Sequence, residues 1–127
     1  MAIGSDADIV VAREKGRKLA AQCGVPSTDL AVITTAISEL ARNIVHYAGR
    51  GAIILRLVDE KGRRGVEVVA ADDGPGIPDV ALAMQDGYST SRSLGLGLPR
   101  VRRLMDEFQI ASEFGKGTTV TFRKWRR

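Results

Sequence analysis

Over residues 28–47, Leu30, Ile33, Ile37, Leu40 and Ile44 recur at steps of three and four. This spacing predicts a long helix with one continuous apolar stripe, and Gly49 ends it. Two strand-like runs follow at once, residues 52–58 and 66–71, joined by the turn-rich Asp59-Glu60-Lys61-Gly62-Arg63-Arg64. That combination reads as a hairpin. A helix with a single greasy stripe must lay it on another apolar surface, and a hairpin supplies one.

The flanking segments extend the same layout. Asp6 or Asp8 can cap a first helix that runs to about Cys23, with Gly24 just past its end. Ile9, Ala12, Leu19, Ala20 and Cys23 fit helical spacing, and Gly16 leaves room for a close neighbour. After Asp72-Asp73-Gly74-Pro75-Gly76-Ile77-Pro78 breaks the pattern, a short helix is expected over residues 79–84, then a polar loop through Ser93. Gly95, Gly97 and Pro99 precede a third helix in which Leu98, Val101, Leu104, Met105 and Phe108 share a face. Two last strands, residues 109–113 and 118–124, meet at Gly115-Lys116-Gly117. The expected fold class is α+β: a two-layer sandwich, about three helices on one face of a mostly antiparallel mixed sheet.

Composition narrows the functional classes. The 127 residues suit one domain spanning 1–127, and Cys23, as the only cysteine, allows neither an internal disulfide nor a thiolate metal cage. No apolar run approaches the ~18 residues of a membrane-spanning helix, and Met1-Ala2-Ile3-Gly4 has no signal-peptide character. A cytoplasmic location with no membrane partner is the expectation. The net charge of +4 concentrates in Arg100-Val101-Arg102-Arg103 and in the tail Arg123-Lys124-Trp125-Arg126-Arg127. Basic runs attract phosphates, but they are more often a solvated helix face and a frayed end, so nucleic acid is the disfavoured partner.

Four short stretches carry candidate chemistry. Glu39 and Asn43 lie four apart on the long helix, about 40° around its axis. Stacked so, a carboxylate and an amide oxygen can handle one proton and one hard cation such as magnesium. Asp72 stands where a strand stops, before Gly74 and Gly76. Its carboxylate can accept from an amino group such as adenine's, with Ile77 against the ring; an ordinary turn has the same composition. Gly95-Leu96-Gly97-Leu98 feeds a helix whose N-terminal N–H groups favour phosphate. The late Gly117-Thr118 means little alone.

Their order carries more than any one of them. E-x-x-x-N on a helix, D-x-G-x-G after a strand, G-x-G-L before a helix and a late G-T resemble the GHKL (Bergerat-fold) ATP-binding family of gyrase, Hsp90, histidine kinases and MutL. The resemblance implies ATP and Mg2+ as cofactors, Glu39 as general base and Asn43 as magnesium ligand. It also implies Asp72 as adenine anchor, Gly74 and Gly76 lining its pocket, Gly95 and Gly97 cradling phosphate, and Thr118 supporting the adenine end. Ser38-Glu39-Leu40-Ala41-Arg42-Asn43-Ile44, Gly74-Pro75-Gly76-Ile77-Pro78-Asp79, Asp86-Gly87-Tyr88-Ser89-Thr90-Ser91 and Leu96-Gly97-Leu98-Pro99 are similar to the small anti-sigma-type serine kinases, stressosome switch kinases included. Within that group, Ser93 stands where the second glycine box often has Gly. The first strand is expected to be clipped to residues 1–3 or supplied by a partner.

The resemblance implies transfer of the ATP γ-phosphate to Ser or Thr of STAS-domain stressosome proteins, and activation of a PP2C-type phosphatase by binding. The alternative is a nucleotide-sensing binding module without significant kinase activity. Arg42 is a candidate phosphate contact, with solvent exposure as its rival. His46 is more simply structural, and Tyr47 is expected to pack.

Overall fold

The computed structural model describes residues 1–76 and 97–126. In chain order these form β1 (Ala2–Ile3), α1 (Asp6–Cys23), α2 (Ser27–Asn43), a π-helical turn (Ile44–Ala48), β2 (Gly51–Glu60), β3 (Arg63–Asp72), α3 (Leu98–Leu104), β4 (Glu107–Glu113) and β5 (Gly117–Trp125). The strands make one sheet in the order β1-β2-β3-β5-β4. Every described pair in it is antiparallel, so the parallel component of a mixed sheet is not found among the described residues. The expected helix over 79–84 and the loop through Ser93 lie outside the described residues.

The local chemistry explains the element ends. Ser5, not Asp6 or Asp8, is the extended N-cap of α1. Asp8 instead reaches back, and its carboxylate accepts from the Gly4 N–H at 2.9 Å, the Ser5 N–H at 3.1 Å and the Ser5 hydroxyl at 3.2 Å. A carboxylate is also favoured there by the partial positive charge of the helix start. Gly24 closes α1 in a left-handed conformation. The β2–β3 hairpin is longer than expected because Lys61 (φ 52°) and Gly62 (φ 78°) alone make the turn, the two-residue form whose twist matches the flanking strands.

Helices and sheet meet through one apolar layer. Ile33, Ile37, Leu40 and Ile44 of the second helical segment are buried, and so are Ile53, Val66, Val68, Val120 and Phe122 from the sheet. Gly16 brings α1 close to α2: a Cβ there would lie 2.1 Å from Ile37 Cδ1. Two expectations change. The third helix stops at Leu104, and Met105 is extended (φ −100°, ψ 154°), so Phe108 joins the core from β4. Through Arg126 the basic tail is not frayed: β5 runs to Trp125, which is buried. Lys124 Nζ donates to the Leu104 carbonyl at 2.8 Å, and the Arg126 N–H donates to the Arg64 carbonyl.

On the sheet face away from the helices, Arg56, Glu67 and Arg123 stand side by side across three strands. Glu67 is only 3% exposed, and both guanidinium groups donate to its carboxylate, Arg123 at 2.8 Å. Burial alone would raise the Glu67 carboxyl, but the hydrogen bonds from Arg123 and Arg56 outweigh it and hold it low. A carboxyl lowered by folding stabilises the fold above its unfolded pKa of about 4.3, and that contribution disappears as pH falls through the lower folded value. Glu67→Gln is therefore expected to cost about 2 kcal/mol at pH 7. Its denaturation midpoint should also fall less than the wild type's between pH 5 and pH 3. Parallel acid profiles for the two proteins would remove this role from Glu67.

Candidate active site

A cavity opens between α2, the π-helical turn and the Asp72 end of the sheet. Its volume of about 130 Å³ is close to the ~150 Å³ that admits a benzene ring, so it fits the flat part of a ligand. Leu40, Ile44, Ala48, Ala70, Leu98 and Val120 supply apolar walls, and Pro75 and Gly76 close one side. The polar side chains among the described lining residues are Asn43, Tyr47, Asp72 and Thr118. π-Helical turns concentrate at functional sites, and this one starts at the residue after Asn43 and forms the cavity wall.

Asp72 is the last residue of β3, and the Gly74 N–H donates to its Oδ1 at 2.9 Å. That bond fixes the carboxylate and curls the chain into the glycine turn. The turn is wedged on both sides. A Cβ on Gly74 would lie 2.6 Å from Ala48 Cβ, and one on Gly76 would lie 2.3 Å from the Glu113 carbonyl oxygen. The Gly115 N–H donates to the Pro75 carbonyl at 2.6 Å. These glycines thus permit backbone packing against two neighbours. Gly76 lines the cavity, whereas Gly74 is not among its lining residues.

Strand register carries the polar row further. Asp72 of β3 pairs with Thr118 of β5, which pairs with Ser112 of β4. Ser112 Oγ donates to the Gly117 carbonyl at 3.1 Å and lies 2.9 Å from Thr118 Oγ1. Ser112 escapes notice in the chain's own pattern because only register places it beside Thr118. Leu40, Ile44 and Ala48 share the four-residue step of the helical stripe, and Ala70 lies two residues before Asp72, so these were readable from periodicity.

Glu39 sits one turn before Asn43 and outside the cavity's described lining. Its side chain is 22% exposed, with Oε1 3.4 Å from Arg42 Nη1. Its Oε2 would be 2.7 Å from a Cβ on Gly97, so the carboxylate lies directly against the entrance to α3. Gly97 makes room for Glu39, while Leu98 is buried and reaches the cavity. Arg42 faces solvent beside Glu39. His46 is half exposed; its Nε2 lies 3.6 Å from Asp6 Oδ1 and its ring stands edge-on to Tyr47. Tyr47 packs less than expected, being 41% exposed at the cavity wall. Ile77, Ser93, Gly95 and Leu96 lie outside the described residues.

Comparison with known proteins places the chain in a family. The profile of the histidine kinase-like ATPase domain matches residues 5–124. The chain belongs to that family. It is 53% identical over 120 residues to the serine/threonine-protein kinase RsbT of Bacillus subtilis (strain 168), covering 94% of this chain and 90% of that protein. It is 34% identical over 112 residues to an anti-sigma F factor of Caldanaerobacter subterraneus, covering 84% of this chain and 77% of the relative. The catalytic domain of the histidine kinase ThkA superposes with a TM-score of 0.55 at 15% identity, covering 98% of this chain and 93% of that domain, a likeness of fold. The chain is an ATP-dependent protein kinase. No described helix is long and apolar enough to cross a membrane.

Proposed function

We propose that the chain is a cytoplasmic serine/threonine switch kinase. It transfers the ATP γ-phosphate to STAS-domain stressosome proteins and, when released from them, binds and activates a PP2C-type phosphatase. The observation that carries the catalytic part is the convergence of Asn43, Asp72 and Thr118 on one ring-sized cavity, with Glu39 a single helical turn from Asn43. The 53% identity to the serine/threonine-protein kinase RsbT supports serine or threonine as the acceptor.

In this reading Asp72 holds the adenine amino group, with Thr118 beside it, and the apolar walls sandwich the ring. Asn43 suits magnesium: it supplies one hard oxygen at the cavity wall, and magnesium commonly takes one or two protein oxygens and completes its shell with water and phosphate. Bound there, magnesium would offset charge on the phosphates. Glu39, partly exposed and acceptor-only when ionised, takes the proton of the attacking Ser or Thr hydroxyl. The new bond forms from that oxygen to the γ-phosphorus, and the bond to the β–γ bridging oxygen breaks, with its electron pair leaving on ADP. The residues contribute mainly by positioning and electrostatics. Gly95 and Gly97, ahead of α3, are proposed to cradle the phosphates.

Incubating the protein with Mg-ATP and a STAS-domain partner tests this directly. Phosphate on a Ser or Thr of the partner is the expected result; intact ATP binding with no transfer would overturn the kinase reading. The similarity to anti-sigma F factors favours one second reading, a nucleotide-sensing module that acts by docking alone. That outcome would select it.

A further inference from the structure

We infer that Ser112, which does not line the cavity, is a positioning residue: it sets the direction of the Thr118 hydroxyl and makes the ring end of the site select an amino group over an oxo group. The inference rests on the reading of the cavity as the adenine pocket and deepens it.

Ser112 Oγ has one hydrogen to give, and the Gly117 carbonyl oxygen, which can only accept, takes it at 3.1 Å. With that hydrogen committed, we assign the 2.9 Å contact between Ser112 Oγ and Thr118 Oγ1, in which either hydroxyl can donate, to Thr118 as donor. Thr118 has thereby spent its own hydrogen and offers the cavity only lone pairs. Asp72, one strand over, is also acceptor-only when ionised, and its Oδ1 is already held by the Gly74 N–H.

Two acceptors therefore stand next to each other at one end of an apolar cavity. Asp72 and Thr118 are directly opposed across β3 and β5, where facing Cβ atoms lie about 5 Å apart. One amino nitrogen between them can give a hydrogen to each. An oxo group in the same place has none to give and meets lone pairs on both sides. A purine with an exocyclic amino group at that position is accepted, and its oxo counterpart is refused. Without Ser112, the Thr118 hydroxyl is released to rotate and donate, and the refusal weakens.

The test compares ATP with inosine triphosphate, which carries oxygen in place of that amino group, by titration against wild type, Ser112→Ala, Ser112→Thr and Asp72→Asn. Wild type should prefer ATP. Ser112→Ala should narrow the preference about tenfold, the effect of one mismatched hydrogen bond, with inosine triphosphate gaining affinity. Ser112→Thr keeps a hydroxyl in place and should restore the wild-type ratio, which a loss of packing would not explain. An unchanged ratio in Ser112→Ala, with Asp72→Asn still losing ATP, overturns the role of Ser112 alone. If Asp72→Asn binds ATP as wild type does, the adenine pocket itself is misassigned.

Discussion

Glu39→Gln should slow phosphate transfer to a Ser or Thr partner by about 10²- to 10⁴-fold, the range for losing a positioned general base, with ATP affinity unchanged. The geometry supports the separation. Glu39 is outside the ring cavity and presses against Gly97 at the entrance to α3. Glutamine fills the same volume against Gly97, so the packing survives. What is lost is the ability to take a proton. The Arg42 contact, 3.4 Å and half exposed, contributes little to stability, so its weakening should not disturb the fold. A nucleotide titration and a single-turnover transfer assay on the same preparation check both halves. Transfer at the wild-type rate would remove Glu39 from the chemistry; parallel loss of binding and transfer would make it a binding residue instead.

That experiment also separates two residues that helical spacing alone cannot. Glu39 and Asn43 are neighbours on one flank of α2, yet only Asn43 lines the cavity. The four-residue step made their proximity legible, but their different surroundings depend on what packs against each. Asn43 faces the Asp72 end of the sheet, and Glu39 faces Gly97, over fifty residues away in the chain.

The same distinction runs through the fold. The α2 stripe and the β2–β3 hairpin were legible because periodicity and turn chemistry are local, and both are present in the structure. The end of α3 was not, because Met105 and Phe108 satisfy the helical step and Phe108 equally satisfies the inward face of a strand. The chain turns extended at Met105, and Phe108 reaches the core from β4. The basic tail misled for a related reason. Its charges read as solvated, but Arg123 finds Glu67 and Glu60 only after β3 and β5 pair. In the site, Asp72 was legible from its place between a strand and a glycine turn, and Thr118 only from the order of the four motifs. Ser112 did not, since its place in the polar row exists only through strand register.

The second large effect concerns Gly117, where register and close approach meet. Gly117→Ala should destabilise the protein by about 3 kcal/mol or more, the size seen for severe steric and backbone conflicts, and lower the Tm by about 10 °C. Gly117 has a φ of 112°, and a Cβ there would lie 2.0 Å from the Asp72 carbonyl oxygen and 3.0 Å from the Asp73 Cα. Both obstacles are backbone, so no rotamer change relieves them. The start of β5 must move away from the end of β3, which breaks the Asp72–Thr118 pairing at the cavity. Gly115 provides the control within the same hairpin. Its φ is 83°, yet a Cβ there meets nothing within 4 Å, so Gly115→Ala carries only the conformational cost of about 1 kcal/mol. Saturating ATP should raise the melting point of Gly115→Ala as it does wild type's, because a ligand that binds only the folded state stabilises it. Gly117→Ala should show little such rise, its pocket having lost the strand pair that holds two of its polar groups together. Equal melting losses for the two variants would mean that the close approach at Gly117 does not hold this end of the sheet in register.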